Sequence, residues 1–136
     1  MLISTRGRYA LRVLIDIAEH SEESPYIAMK DVAQRQEISL KYLERILPVL
    51  VKAHVLEGVH GKGGGYRLTQ KPEEYKVGEI LRLTDGDLSP VPGIDSETEA
   101  CDRNNVNRTI LMWDHLNHIV NDYLDSVRLS DLIQTE

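Results

Sequence analysis

"HGKGGGYRL", residues 60–68, holds four of the chain's nine glycines, Gly61, Gly63, Gly64 and Gly65. Clusters of this kind do one of two jobs. They cradle a phosphate, or they let a bare loop turn tightly and press against something. A P-loop needs G-x-x-x-x-G-K-[ST] between a strand and a helix, and a dinucleotide fold needs G-x-G-x-x-G opening a helix. Neither spacing occurs here, and the "YRLT" that follows alternates like a strand rather than starting a helix. The nucleotide reading fails on context. "HVLEGVH" (54–60) and "YRLTQ" (66–70) instead read as two strands of a hairpin with "GKGGG" (61–65) as its tip. Tyr66 is expected to anchor the returning strand, and Lys62 and Arg67 to place positive charge near the tip.

Upstream of this hairpin the apolar period is helical. Ser4 or Thr5 can cap a helix to about His20, with Leu14, Ile17 and Ala18 among its apolar positions. "SEESPY" (21–26) is a loop, and a short helix is expected over about Met29–Gln36 with Val32 and Ala33 facing inward. "EIS" (37–39) is a turn, and Ser39 caps a third helix to about Ala53. Its apolar stripe is Leu43, Ile46, Leu47, Leu50 and Val51, opposite a face showing Lys41, Glu44 and Arg45, with Tyr42 at the border. Pro48 lies inside it and is expected to kink or divide it, because proline removes a backbone donor.

Downstream, "KPEEY" (71–75) is a turn before a helix at about Val77–Leu83. "GDLSPVPG" (86–93) is extended, and the acidic, aperiodic residues 94–106 are expected to form a mobile loop. A long helix begins near Asn107. Trp113, Leu116, Val120, Tyr123 and Val127 recur at three and four, a seam about two heptads long. Met112, Ile119 and Leu124 lie off this seam and would pack on something else. A helix apolar on more than one face is buried between two bodies, here most simply two copies of the chain.

Composition bounds the rest. The 136 residues make about one domain, with a single cysteine, Cys101, and no phenylalanine. No intrachain disulfide is possible. The opening "MLISTRGRYA" leads into an amphipathic segment rather than an apolar run, so neither a secretory leader nor a membrane span is expected, and the expected location is cytoplasmic. Net charge is −6, unevenly spread: residues 1–71 carry 11 Lys and Arg against 8 acids, and residues 72–136 carry 5 against 14. A basic front half suits an anionic partner that the acidic half is kept away from.

Helix, turn, helix and a hairpin with a flexible tip is the order of a winged helix-turn-helix. The fold class expected is therefore mainly α with a small β-hairpin. Its second helix lies in the major groove with its first residues at the base edges. Those residues are Ser39, Lys41, Tyr42, Glu44 and Arg45. Glutamate can accept from a cytosine amino group and arginine can fork onto guanine, while hydroxyls suit phosphate. Any one of them alone would be an ordinary solvated residue. Five together, opposite an apolar stripe and followed by a wing, argue for DNA.

The chain resembles the IscR/CymR family of bacterial winged-helix transcription regulators over most of its length. The resemblance rests on "STRGRYALRVL" (4–14), "ISLKYLERIL" (38–47), "GKGGGYRL" (61–68), "VGEILRLTDG" (77–86), the terminal long helix and "LSDLI" (129–133). It implies a homodimer that crosses its long C-terminal helices on a pseudo-palindromic operator. By position, Ser39, Tyr42 and Glu44 match family DNA-contacting residues, Arg8 matches a basic residue near the DNA backbone, and Gly63 and Gly64 match the wing. His60 stands where the family often has a groove-reading arginine, and Arg45 where it commonly has glutamine.

Iron–sulfur members of the family carry three cysteines and a histidine before the long helix. Here Cys101 is alone, and Asn107 and Ile110 fall where another cysteine and the histidine would be. In the nitric-oxide-sensing branch, which uses an aspartate in the first helix, Arg8 stands at about that position. No cluster is expected, although Cys101 could be an oxidisable thiol. His115 and His118 lie three apart, a spacing that can chelate metal, but surface histidines that bind nothing are commoner, and no metal site is expected. No catalytic triad or dyad can be assembled, so an enzyme is not expected.

The domains expected are a winged helix-turn-helix DNA-binding domain over 1–85, an effector or linker loop over 86–106, and a dimerisation helix with a C-terminal segment over 107–136. The function expected is a homodimeric, sequence-specific DNA-binding regulator, a repressor, with no cofactor. Cysteine synthase is the protein partner that one branch of the family suggests. The alternatives are a thiol- or metal-based redox sensor on the same fold, or an interaction module that has lost DNA binding.

Overall fold

A computed structural model describes residues 2–91 and 108–133. Three helices come first, α1 (Thr5–Glu19), α2 (Met29–Gln36) and α3 (Leu40–Lys52). Strands β1 (Leu56–Val59) and β2 (Gly65–Leu68) follow, then a 3-10 turn at Pro72–Glu74. α4 (Val77–Asp85), the long α5 (Ile110–Ser126) and a single turn, α6 (Leu129–Leu132), complete the described chain. The mobile loop expected over 94–106, with Cys101, falls outside the described residues.

The main apolar core joins α1, α2, α3, β1 and α4. Leu14 and Ile17 of α1, Val32 of α2, Leu43, Ile46 and Leu50 of α3, Leu56 of β1 and Ile80 of α4 are all essentially inaccessible. Each contributes about 1.5–3 kcal/mol by leaving water. α1 starts where the Ser4 hydroxyl accepts the Gly7 N–H at 2.9 Å. Asp85, at the end of α4, accepts the Ser4 backbone N–H at 2.8 Å and the Ser4 hydroxyl, so one carboxylate ties the start of α1 to the end of α4. Burial would raise the Asp85 carboxyl, but those bonds, with Arg6 nearby, outweigh it and hold the group below the ordinary aspartate range.

The hairpin is antiparallel, with Leu56 opposite Leu68 and Gly58 opposite Tyr66. Tyr66 also exchanges both backbone bonds with Ile27, at 2.8 and 2.9 Å, so the wing is stapled to the segment entering α2. The expected anchoring by Tyr66 is thus carried by its backbone as well as by its ring, which packs on the core. The Tyr75 hydroxyl closes the hairpin's base, donating to the Val55 carbonyl at 2.9 Å and accepting the Thr69 and Gln70 N–H groups at 3.0 Å each.

Several expectations change in the structure. Pro48 does not divide α3: the helix runs from Leu40 to Lys52 with the proline inside. Pro48 and Glu44 both lie on the solvent side, where water can serve the Glu44 carbonyl that loses its donor. Val51, expected on the buried stripe, is 37% exposed, because the stripe turns away after Leu50. Arg67 is not free charge at the tip: it bonds Glu57 across the strands at 3.0 Å and lies over the Tyr26 ring.

The C-terminal segment also packs on the main core. Leu129 is fully buried in the main core, and its N–H bonds the Tyr75 carbonyl at 2.9 Å. Leu88, within the stretch expected as linker, is buried with Val77 and Leu81. Val127 lies one residue beyond α5 and packs on this same cluster, so it does not extend the α5 seam.

Candidate nucleic-acid interface

The turn between α2 and α3 is built by Glu37, whose left-handed φ of 55° lets its N–H bond Ala33 and swings the chain round. The Ile38 N–H reaches the same carbonyl at 3.0 Å. Ser39 then caps α3, its hydroxyl accepting the Tyr42 N–H at 3.0 Å. That cap contact occupies one acceptor site and leaves the hydroxyl proton available to a phosphate.

Beyond the cap, α3 separates its faces cleanly. Leu43, Ile46 and Leu47 point into the core, while Lys41, Glu44 and Arg45 are exposed. None of these three side chains makes a hydrogen bond or ion pair among the described residues. Two free cations and a free carboxylate on one exposed turn and a half can meet phosphates and base edges without first breaking internal pairs. Tyr42 is different: it is half-buried, and its ring meets the Tyr9 ring edge-on at 5.4 Å between centroids.

The wing offers a bare tip. Gly63 has φ of 79°, a conformation that side chains avoid, and a Cβ there would meet nothing within 4 Å. Gly64 and Gly65 are glycines for another reason: a Cβ at Gly64 would lie 2.2 Å from the Val59 carbonyl oxygen, and one at Gly65 would lie 2.3 Å from that of Ile27. Gly63 shapes the tip, and Gly64 and Gly65 let it close on its base. His60 and Lys62 flank the turn and are exposed. Arg8 is also exposed on α1, near its start, with a guanidinium bond to the Thr5 hydroxyl at 3.2 Å.

The second exposed feature is the outer face of α5. Its inner face holds Ile110 and Asn117, both buried, and Leu124, which packs on the Val77 cluster. Arg82 of α4 clamps the helix, forking onto Asp125 at 2.7 and 3.0 Å and reaching Asn121 at 2.7 Å. That hydrogen-bonded fork holds the Asp125 carboxyl below its ordinary range against a smaller opposing effect of burial. Gly78 permits the approach, since a Cβ there would fall 2.0 Å from the Asp125 carboxylate.

On the outer side, Met112, Leu116, Ile119 and Tyr123 are exposed by 53, 37, 52 and 65%. Trp113 and Val120 are half-buried at the edge of this band. Met112 and Ile119, read from sequence as packing elsewhere, therefore share one band with the seam, and only Leu124 packs inward.

Residues 3–135 match the Rrf2 family model, described as an iron-dependent transcriptional regulator. The chain belongs to the Rrf2 family. It is 38% identical to protein rrf2 of Nitratidesulfovibrio vulgaris over 98% of this chain and 88% of that one. It is 34% identical to the transcriptional regulator CymR of Bacillus subtilis, over 97% of this chain and 89% of the relative. The solved structure of B. subtilis CymR superposes with a TM-score of 0.79 over 97% of this chain and 95% of that one, at 32% identity. An IscR structure from T. potens gives 0.72 over 97% and 85%, at 30% identity. This Rrf2 protein is thus a DNA-binding transcription regulator of winged-helix fold, and its named relatives are regulators rather than enzymes.

The iron in the family's description finds few donors here. A [2Fe–2S] cluster takes four ligands, mostly thiolates. This chain has one cysteine, Cys101, and no grouping of three or more histidine, cysteine or acidic side chains among the described residues could hold a metal. The donor set does not fit the cluster. No described helix is long and apolar enough to cross a membrane.

Sequence reading missed the residues behind α3. Tyr9, Arg12 and buried Asp16 on α1 hold the turn and the first residues of α3 from the inside. The one available signal was Asp16 itself, a lone carboxylate inside the apolar run "VLIDIA".

Proposed function

We propose that this Rrf2-family regulator is a cytoplasmic homodimeric repressor that inserts α3 into the major groove of each half of a two-fold operator. Glu44 and Arg45 read base edges, Ser39, Lys41, Tyr42 and Arg8 hold phosphates, and the wing of His60, Lys62, Gly63 and Gly64 approaches the minor groove. The observation that carries this is the free, exposed set Lys41, Glu44 and Arg45 on the first turns of the helix that follows the turn at Glu37. The dimer is proposed to close through the apolar band of α5, with Trp113, Leu116, Val120 and Tyr123 joined by Met112 and Ile119.

Because the solved relative CymR is the global cysteine regulator of B. subtilis, promoters of cysteine-metabolism genes are the first to test, with cysteine synthase as the protein partner to try on the complex. The deciding experiment is a mobility shift of such promoter fragments, and of the chain's own promoter, across a salt series. Affinity falling steeply with salt supports the reading, because each neutralised phosphate releases a counterion. Absence of any shift at low salt sinks it.

A further inference from the structure

Tyr9, Arg12 and Asp16 stand at i, i+3 and i+7 of α1, a spacing that puts them on one helical face. Together they grip the helix-turn-helix at Arg35, Gln36 and Tyr42. Asp16, buried, receives Arg35 at 2.7 Å and the Gln36 amide at 2.9 Å. Arg12 donates to the other end of the same amide, the Gln36 Oε1, at 3.2 Å, and also to the Gln36 backbone carbonyl. Gln36 is therefore held at both atoms of its side-chain amide and at its main chain, one residue before the left-handed Glu37 that sets the turn. The Arg12 guanidinium also lies over the Tyr9 ring at 5.1 Å, and Tyr9 meets Tyr42 in the first turn of α3.

We infer that Arg12, together with Tyr9, is a positioning residue for operator recognition, fixing the angle at which the first turn of α3 meets the bases. The inference rests on the DNA-binding reading given above. Physically, the guanidinium is planar and carries donors in a fixed fork, so one side chain can bond Gln36 twice and still stack on Tyr9. Lysine cannot do all three. A lysine would nevertheless keep the charge, which separates positioning from simple attraction to phosphate.

Two duplexes serve as probes: one enriched by the wild-type chain from a random-sequence pool, and one unrelated duplex of equal length. Arg12→Lys is expected to weaken binding to the enriched duplex by roughly tenfold, the size of one mismatched base pair, while binding to the unrelated duplex stays put. Tyr9→Leu is expected to act the same way, and Tyr9→Phe, which keeps the ring, to discriminate like wild type. Thermal melts of each variant verify that the fold persists. If Arg12→Lys keeps the wild-type ratio between the duplexes, or loses affinity for both equally, Arg12 has no positioning role. Failure of the wild type to enrich any sequence would instead remove the DNA reading itself, a different and earlier result.

Discussion

α3 and α5 both turn a face to solvent, and the two faces carry opposite chemistry. The α3 face shows Lys41, Glu44, Arg45 and Pro48; the α5 face shows Met112, Leu116, Ile119 and Tyr123. Each helix is fastened behind that face by polar contacts. The Asp16, Arg12 and Gln36 set holds the turn leading into α3, and the Arg82–Asp125 fork holds α5. Exposure alone says little about either. A charged face is at home in water, whereas a contiguous apolar band loses free energy until something covers it. The proposed function follows this difference, with an anionic polymer on one helix and a second copy of the chain on the other.

The strongest way to break this division is to put a charge on each face separately. Leu116→Glu with Ile119→Glu is expected to leave the fold intact but yield a monomer by sedimentation, with operator affinity falling by orders of magnitude as the second half-site is lost. Arg45→Glu should leave the dimer mass unchanged and remove the specific complex. If both variants lose the dimer, or neither does, the two faces are not independent.

Next in size is the fastening of α5. Gly78→Ala drives a Cβ to within 2.0 Å of the Asp125 carboxylate, so the helix must shift or the Arg82 fork must open. A loss of about 1–3 kcal/mol in urea titration is expected. Wild-type stability in this variant would mean α5 is not held where it is described.

α3 should respond in the other direction. Pro48 sits exposed in a helix it does not break, leaving the Glu44 carbonyl without a helical donor. Pro48→Ala is expected to stabilise the chain by about 1–2 kcal/mol in the same titration, somewhat less than the full cost of proline in a helix interior. A destabilised variant would show that the proline shapes α3 after all.

The smallest effect is acid sensitivity. Asp85 and Asp125 are both held below the ordinary aspartate value of 3.8. Their stabilisation is complete above that value and is lost as pH falls through the depressed folded values. Both partners of the Arg82–Asp125 pair are 35% exposed, so solvent screening limits it to about 1 kcal/mol or less. Melting temperature should drop on acidification below about pH 4, and Asp125→Asn should make that drop shallower. An unchanged acid limb in Asp125→Asn would discount the fork.

What was legible in the sequence follows the same division. The α2 boundaries, the Ser39 cap, the hairpin and its glycine tip were all readable, because capping residues, apolar period and turn glycines act locally. The α5 seam was only partly readable. Period gives the apolar positions of a helix but not which of them the rest of the chain covers, so Leu124 and Val127 went inward while Met112 and Ile119 stayed out. Arg67 and the Asp16 network depend on partners 10 and 20 residues away, which no local pattern encodes. Of the two outcomes expected of Pro48, a kink or a division, division does not occur, because the cost of a missing donor depends on whether the orphaned carbonyl is wet.

The most direct test of the central claim is a selection of random-sequence duplexes by the wild-type chain and by Glu44→Ala. Wild type should enrich a site with two-fold symmetry, and Glu44→Ala should relax the preference at one base pair in each half-site, symmetrically. An enriched site identical for both proteins, or no enriched site at all, would contradict recognition by α3 from a dimer.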